Sequence, residues 1–151
     1  MGAEVVLVEE RIRVSNLAKQ FGTFTAVHDV SFTVHENEFF SLLGPSGCGK
    51  TTTLRCISGL EQPTEGEIYI SGQLVTSPEK KVMAPPERRG IGMVFQNYAV
   101  WPHMTVEQNM SYPLRVARKP REQVNAKMAY LTDLLELKGL EERYPSELSG
   151  G

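Results

Sequence analysis

Cysteine, tryptophan and net charge are all scarce in this sequence. Its 151 residues include two cysteines, Cys48 and Cys56, and one tryptophan, Trp101. Two thiols do not make the disulfide framework on which small secreted domains rest, so a reducing cytosol is the expected setting. Sixteen basic against eighteen acidic side chains leave a formal net charge of -2. No global basic field then marks a nucleic-acid partner. The local run at 115–121 holds four cations, Arg115, Arg118, Lys119 and Arg121, and reads as a solvated face. No apolar stretch approaches the roughly 20 residues that a bilayer-spanning helix needs. The opening MGAEVVLVEERIRV carries acidic residues where a secretory leader would carry cations. Repeats and low-complexity segments are absent as well. Any membrane contact is therefore expected to run through another protein. The remainder is ordinary, 40% hydrophobic and 23% charged, as in a globular domain.

Strand signals dominate the first third. Ile12 and Val14, then Ala26, Val30, Phe32 and Val34, fall at period two. A turn is expected at Glu36 and Asn37, where asparagine tolerates the left-handed conformation. The run Phe39, Phe40, Leu42, Leu43 predicts a strand buried on both faces. Residues 51–58 read as a helix stopped by Gly59. A strand at 66–71 and another at 91–95, ending at Gln96, are predicted, with residues 76–89 as a surface connection between them. Beyond residue 97 the pattern turns helical. Thr105 and Gln108 fit a capping box, and Pro113 is expected to bend or end the helix that they open. Pro120 starts a longer helix with Val124, Met128, Leu131 and Leu135 on one side, closed by Gly139. His28 and His35 read as structural, and His103 has no neighbour at metal-ligand spacing.

One motif carries chemistry by itself. Residues 44–51 read GPSGCGKT and match the phosphate-loop (Walker A) pattern G-x-x-x-x-G-K-[ST]. Its glycines let backbone N–H groups face phosphate without a Cβ in the way. The following helix points its positive end at the same place. Candidate nucleotide-binding residues are Gly44, Pro45, Ser46, Gly47, Cys48, Gly49, Lys50, Thr51 and Thr52. Lys50 would reach the β- and γ-phosphates and the Thr51 hydroxyl would bind Mg²⁺.

Three segments, the phosphate loop among them, then fall into the order of the ABC transporter ATPases. GPSGCGKTTTLRCISGLEQPTEGEI is similar to the phosphate loop and helix of the importer subgroup. GMVFQNYAVWPHMTVEQNM resembles its glutamine loop, and LSGG at 148–151 resembles the opening of the LSGGQ signature. The resemblance implies an α/β fold: a P-loop NTPase core with an antiparallel β portion at its N-terminal side and a helical subdomain. It divides the chain into a β-rich ATP-binding core at 1–96 and a glutamine-loop and helical region at 97–151. It also implies that Phe21 stacks on adenine with Ala26 at the base edge. Gln96 would sense the γ-phosphate, binding Mg²⁺ or orienting water. Ser149, Gly150 and Gly151 would cap the ATP of a second subunit. Tyr98 and Trp101 border the groove that receives a helix of the membrane permease, with packing under the helical subdomain as the other reading for Trp101.

The implied function is Mg²⁺-dependent ATP hydrolysis driving solute import. The implied partners are a second ATP-binding subunit, in a homodimer or pseudo-dimer, permease subunits and, indirectly, a solute-binding protein. The setting is the cytoplasmic face of the inner or plasma membrane, held there through the permease. The alternatives are a nucleotide-binding fragment without turnover and an ATPase of a non-transport branch. The resemblance extends to carbohydrate importers and, over 75–90, to iron(III) or polyamine relatives. In the family the pattern continues past the signature to a metal-associated aspartate, a catalytic glutamate and a switch histidine, so the fold is expected to be incomplete. The 151-residue chain is accordingly expected to bind ATP without hydrolysing it. A phosphate-release assay checks this, and turnover above background that disappears in Lys50→Ala would overturn it.

Overall fold

A computed structural model describes residues 9–148, so Ser149, Gly150 and Gly151 lie outside the described residues. The chain divides into two compact units, Met1–Met93 and Val94–Gly151. The first is built on a hairpin of two long strands, β1 (Glu10–Phe21) and β2 (Phe24–His35). Then come helix α1 (Lys50–Ser58) and the short strands β3 (Glu65–Ile70), β4 (Gln73–Ser77) and β5 (Val82–Met83). The sheet runs β2-β1-β3-β4-β5, and every neighbouring pair is antiparallel.

The register of the long hairpin shifts at four places, two of them at bulged residues with left-handed backbone. Asn16 in β1 and Asp29 in β2 have φ of 49° and 47°, and the pairing shifts around both. Asn16 Nδ2 donates to Asp29 Oδ1 at 2.8 Å across the gap. A bulge offsets the alternation by one residue. Hence Val27, not Ala26, is the fully buried side chain of its turn. The core joins Val14, Leu17, Val27, Ile68, Ile70 and Val75 of the sheet to Cys56 and Ile57 of α1. Burial pushes the Cys56 thiol up to about 11, which keeps it neutral and acting as a small apolar side chain. The Glu36–Asn37 turn forms as expected, with Asn37 at φ 59°. Glu38 accepts from the backbone N–H of His35 and sits 3.2 Å from its Nδ1, and these contacts lower the Glu38 pKa.

Two predicted strands do not form. Residues 39–43 and 91–95 have no ladder partner among the described residues. Phe39, Leu43 and Val94 are 94%, 98% and 96% exposed. A strand buried on both faces needs neighbours on both sides, which adjacent hairpins do not supply. Phe40 stacks on Phe32 with ring centroids 4.8 Å apart, and Ile91 packs against the core.

The stretch 76–89 also departs from expectation. Instead of a surface connection it contains the end of β4, all of β5 and a 3-10 turn at Pro86–Arg88. Thr76, Ser77 and Arg89 are buried.

In the second unit, α2 (Val106–Val116) opens with the expected capping box. The Thr105 N–H donates to Gln108 Oε1 at 3.0 Å, and the Gln108 N–H donates to Thr105 Oγ1 at 3.3 Å. Pro113 lies inside α2, which runs three residues further. Helix α3 (Arg121–Leu134) ends before Gly139, and its buried positions are Val124, Met128 and Thr132. Leu135 is exposed. Thr132 takes the buried position because its hydroxyl donates to the Met128 carbonyl one turn back.

Helix α1 ends at Gly59, in the left-handed region at φ 82°, where a Cβ would come within 2.5 Å of Arg89 Nε. Gly72 shares the conformation, at φ 76°, but has open space around it. Gly72→Ala should therefore cost only the backbone strain of roughly 1–2 kcal/mol. Gly59→Ala should cost about 1–3 kcal/mol more, through overpacking. Urea denaturation of both variants measures the difference, and equal losses would mean that Arg89 does not lie against the helix end.

Candidate functional site

The loop from Gly44 to Thr51 enters α1 at Lys50. Gly49 precedes the helix at φ 89°, and a Cβ there would overlap the Ala26 carbonyl oxygen. Only glycine permits this closure of the loop on β2. The first helical bond runs from Thr53 N–H to the Gly49 carbonyl, 2.8 Å. No side chain caps the first turn, and no acidic residue lies in it. The positive end of α1 thus carries no side-chain cap, the arrangement that suits an anion.

Lys50 Nζ donates to the carbonyl oxygens of Gly44 and Pro45, both at 2.7 Å, and lies 3.4 Å from Cys48 Sγ. Its ammonium is therefore folded along the loop. Pro45, Ser46, Gly47, Cys48 and Thr51 are exposed, and Thr52 is half-buried. No cluster of three or more metal-ligating side chains exists among the described residues. The Thr51 side chain lies in the exposed first turn of α1.

Phe21 ends β1, 46% exposed, so it is not a core side chain. Lys19 Nζ lies 4.6 Å from its ring centroid. That ammonium is fixed in turn by Glu61 Oε1 at 2.6 Å and the Gln62 carbonyl at 2.7 Å. One face of the ring is thus held by a cation that is itself tethered. Ala26 is half-buried, with its carbonyl under Gly49.

Gln96 lies in the second unit, exposed at a turn. Tyr98 and Ala99, just after it, both adopt the left-handed conformation, at φ 61° and 52°. Asn109 of α2 organises the segment that follows. Its Oδ1 accepts from Trp101 N–H at 2.8 Å, and its Nδ2 lies 3.0–3.1 Å from the carbonyls of Trp101, Met104 and Thr105. Trp101 and Tyr112 pack with ring centroids 4.3 Å apart, both still partly exposed, and Tyr98 is exposed too. His28 and His103 are exposed, and His35 faces Glu38.

Lys19, Arg89 and Asn109 were not singled out by the sequence. Asn109 alone leaves a trace, since a helix interior disfavours asparagine unless its amide is used locally. For Lys19 and Arg89 the chain gives no local signal, because their partners lie 43 and 33 positions away at the furthest.

A phosphate-loop motif running into a helix on this sheet defines the class as a P-loop NTPase fold. The family model described as ABC transporter matches residues 27–151, and the chain belongs to that family. It is 50% identical over 140 residues to the trehalose/maltose import ATP-binding protein MalK of Thermococcus litoralis, covering 93% of this chain and 38% of that one. It is 49% identical over 140 residues to the spermidine/putrescine import ATP-binding protein PotA of Rubrobacter xylanophilus, covering 93% and 36%. The chain thus spans under two-fifths of the length of these relatives. Among solved structures, a dimeric bacterial ABC transporter cassette matches with a TM-score of 0.76 at 29% identity, over 92% of this chain and 63% of that one. A dimeric post-hydrolysis state bound to ADP and Pi matches with a TM-score of 0.72 at 30% identity, with the same coverage. Among the described residues no helix is long and apolar enough to cross a membrane.

Phe21→Ala should weaken ATP binding and leave inorganic triphosphate binding unchanged, since only a base loses a stacking surface. Calorimetric titration with both ligands checks this. An equal loss for both would remove Phe21 from the role of base platform.

Proposed function

We propose that residues 44–52 hold the phosphates of ATP and that the complete protein is the ATPase subunit of a solute importer. The observation that carries the reading is the uncapped positive end of α1 with the Lys50 ammonium folded beside it. Backbone N–H groups from Ser46 to Thr52 and Lys50 would bind the phosphates, and Phe21 with Ala26 would receive the base. Thr51 and Gln96 would serve the Mg²⁺ that accompanies the nucleotide, which neutralises charge developing on phosphate oxygens when bound. Neutral acceptors suit an ion that must be engaged and released. On this reading residues 1–96 belong to the nucleotide core and 97–151 to the helical region.

Two assignments concern partners. Ser149, Gly150 and Gly151 would meet the nucleotide of a second subunit, supported by the dimeric form of the similar cassettes. Tyr98 and Trp101 would meet a membrane permease, supported by their exposure beside a strained, Asn109-braced turn. The protein would then lie at the cytoplasmic face of the membrane, attached through the permease. The import function named for the relatives supports this reading.

Lys50→Ala removes a charge-assisted phosphate contact worth roughly 1.5–3 kcal/mol. Its Kd for ATP with Mg²⁺ should rise about tenfold to a hundredfold. Titration of the two forms side by side gives the answer. Equal affinities would mean that Lys50 does not touch phosphate.

A further inference from the structure

Arg89 is 3% exposed, and the ion pairs of the described residues give it no carboxylate partner. All its partners are neutral. Nη1 donates to the carbonyls of Cys56 and Ile57, both at 2.9 Å, at the C-terminal end of α1. Nη2 donates to Thr76 Oγ1 of β4 at 2.7 Å, and Nε donates to the Ala84 carbonyl after β5 at 2.9 Å. A buried cation needs such compensation, and the negative end of a helix supplies part of it. Yet satisfying the helix end does not itself require a guanidinium. The Cys56 carbonyl already accepts from Gly59 N–H at 3.2 Å, and the Arg55 carbonyl from Leu60 N–H at 2.9 Å. What the planar fork adds is a fixed direction. It joins the helix end to β4 and to the segment after β5 through one rigid group, and Gly59 leaves it room to lie there.

We propose that Arg89 is a positioning residue for the phosphate site, acting through α1. The nine-residue helix is about 13.5 Å long. Its N-terminal end rests on the Gly49–Ala26 contact and its C-terminal end on Arg89. A tilt at the Arg89 end therefore changes the direction in which the first-turn amides and Lys50 face. Lysine at this position keeps the charge but has no fork to span the helix carbonyls and Thr76 together. This inference rests on the reading of residues 44–52 as a phosphate site.

The test is calorimetric titration of the 151-residue chain with MgATP and with inorganic triphosphate, comparing wild type with Arg89→Lys, Thr76→Val, Ile57→Val and Lys50→Ala. Arg89→Lys should raise Kd roughly tenfold for both ligands at unchanged stoichiometry, as displacement of a binding group does. Thr76→Val, which removes one of the bonds, should raise it about threefold. Ile57→Val loosens the same helix through packing alone and should leave Kd unchanged. A purely structural role would reduce the bound stoichiometry and not the affinity of the folded fraction. Arg89→Lys with Kd within about twofold of wild type, or an equal shift in Ile57→Val, overturns the proposal. Should Arg89→Lys not fold, an unchanged Kd in Thr76→Val overturns it. Wild type that binds neither ligand, or Lys50→Ala that binds like wild type, sinks the phosphate-site reading and this inference with it. Loss in Lys50→Ala with retention in the Arg89 and Thr76 variants sinks this inference alone.

Discussion

The contact between Gly49 and the Ala26 carbonyl oxygen sets where α1 begins, and much of the first unit follows from it. A residue with a Cβ would push the loop off β2. The helix would then lose its seat over Val27, and the sheet would lose the cover that Cys56 and Ile57 provide. The same close approach turns the first-turn amides outward without a side-chain cap. On the proposed reading, stability and anion recognition would share one steric requirement at Gly49, so a substitution there would harm both.

Around that helix the sheet is assembled from the hairpins β1-β2, β3-β4 and β4-β5, and β3 crosses back past β2 to pair with β1. The bulges at Asn16 and Asp29 fall on opposite strands and offset each other in the register of the long hairpin. Segments 39–43 and 91–95 are rich in Phe, Leu, Ile and Val but pair with nothing among the described residues. Their exposed side chains are the kind of unprotected apolar surface that promotes association. Composition made them look like strands, and pairing decided otherwise.

What could be read in advance was what local chemistry determines. The capping box at Thr105 and Gln108, the turn at Asn37, the stop at Gly59 and the phosphate loop each follow from a few adjacent residues. The α/β class and the family followed from motif order. What escaped was set by distant contacts. Thr76 and Arg89 sit in a proline- and charge-rich stretch that reads as solvated, and only the fold shows that it crosses the helix end. Val27 replaced Ala26 in the core because a bulge, which has no alternation signature, shifted the phase. Helix α3 ends at Leu134 and not near Gly139 because Glu136 turns left-handed, at φ 56°, and the Leu137 N–H donates back to the Thr132 carbonyl at 2.9 Å.

The two carbonyls that hold Lys50 Nζ have a consequence for selectivity. An anion reaching the ammonium must displace bonds of 2.7 Å to Gly44 and Pro45. A dilute monovalent ion, strongly hydrated and singly charged, gains little over two oriented dipoles. A group with several closely spaced negative oxygens outcompetes them, because each oxygen accepts a charge-assisted bond. On the proposed phosphate-site reading the loop would set a threshold of charge density, favouring clustered anionic oxygens over ordinary salt before shape is tested at all.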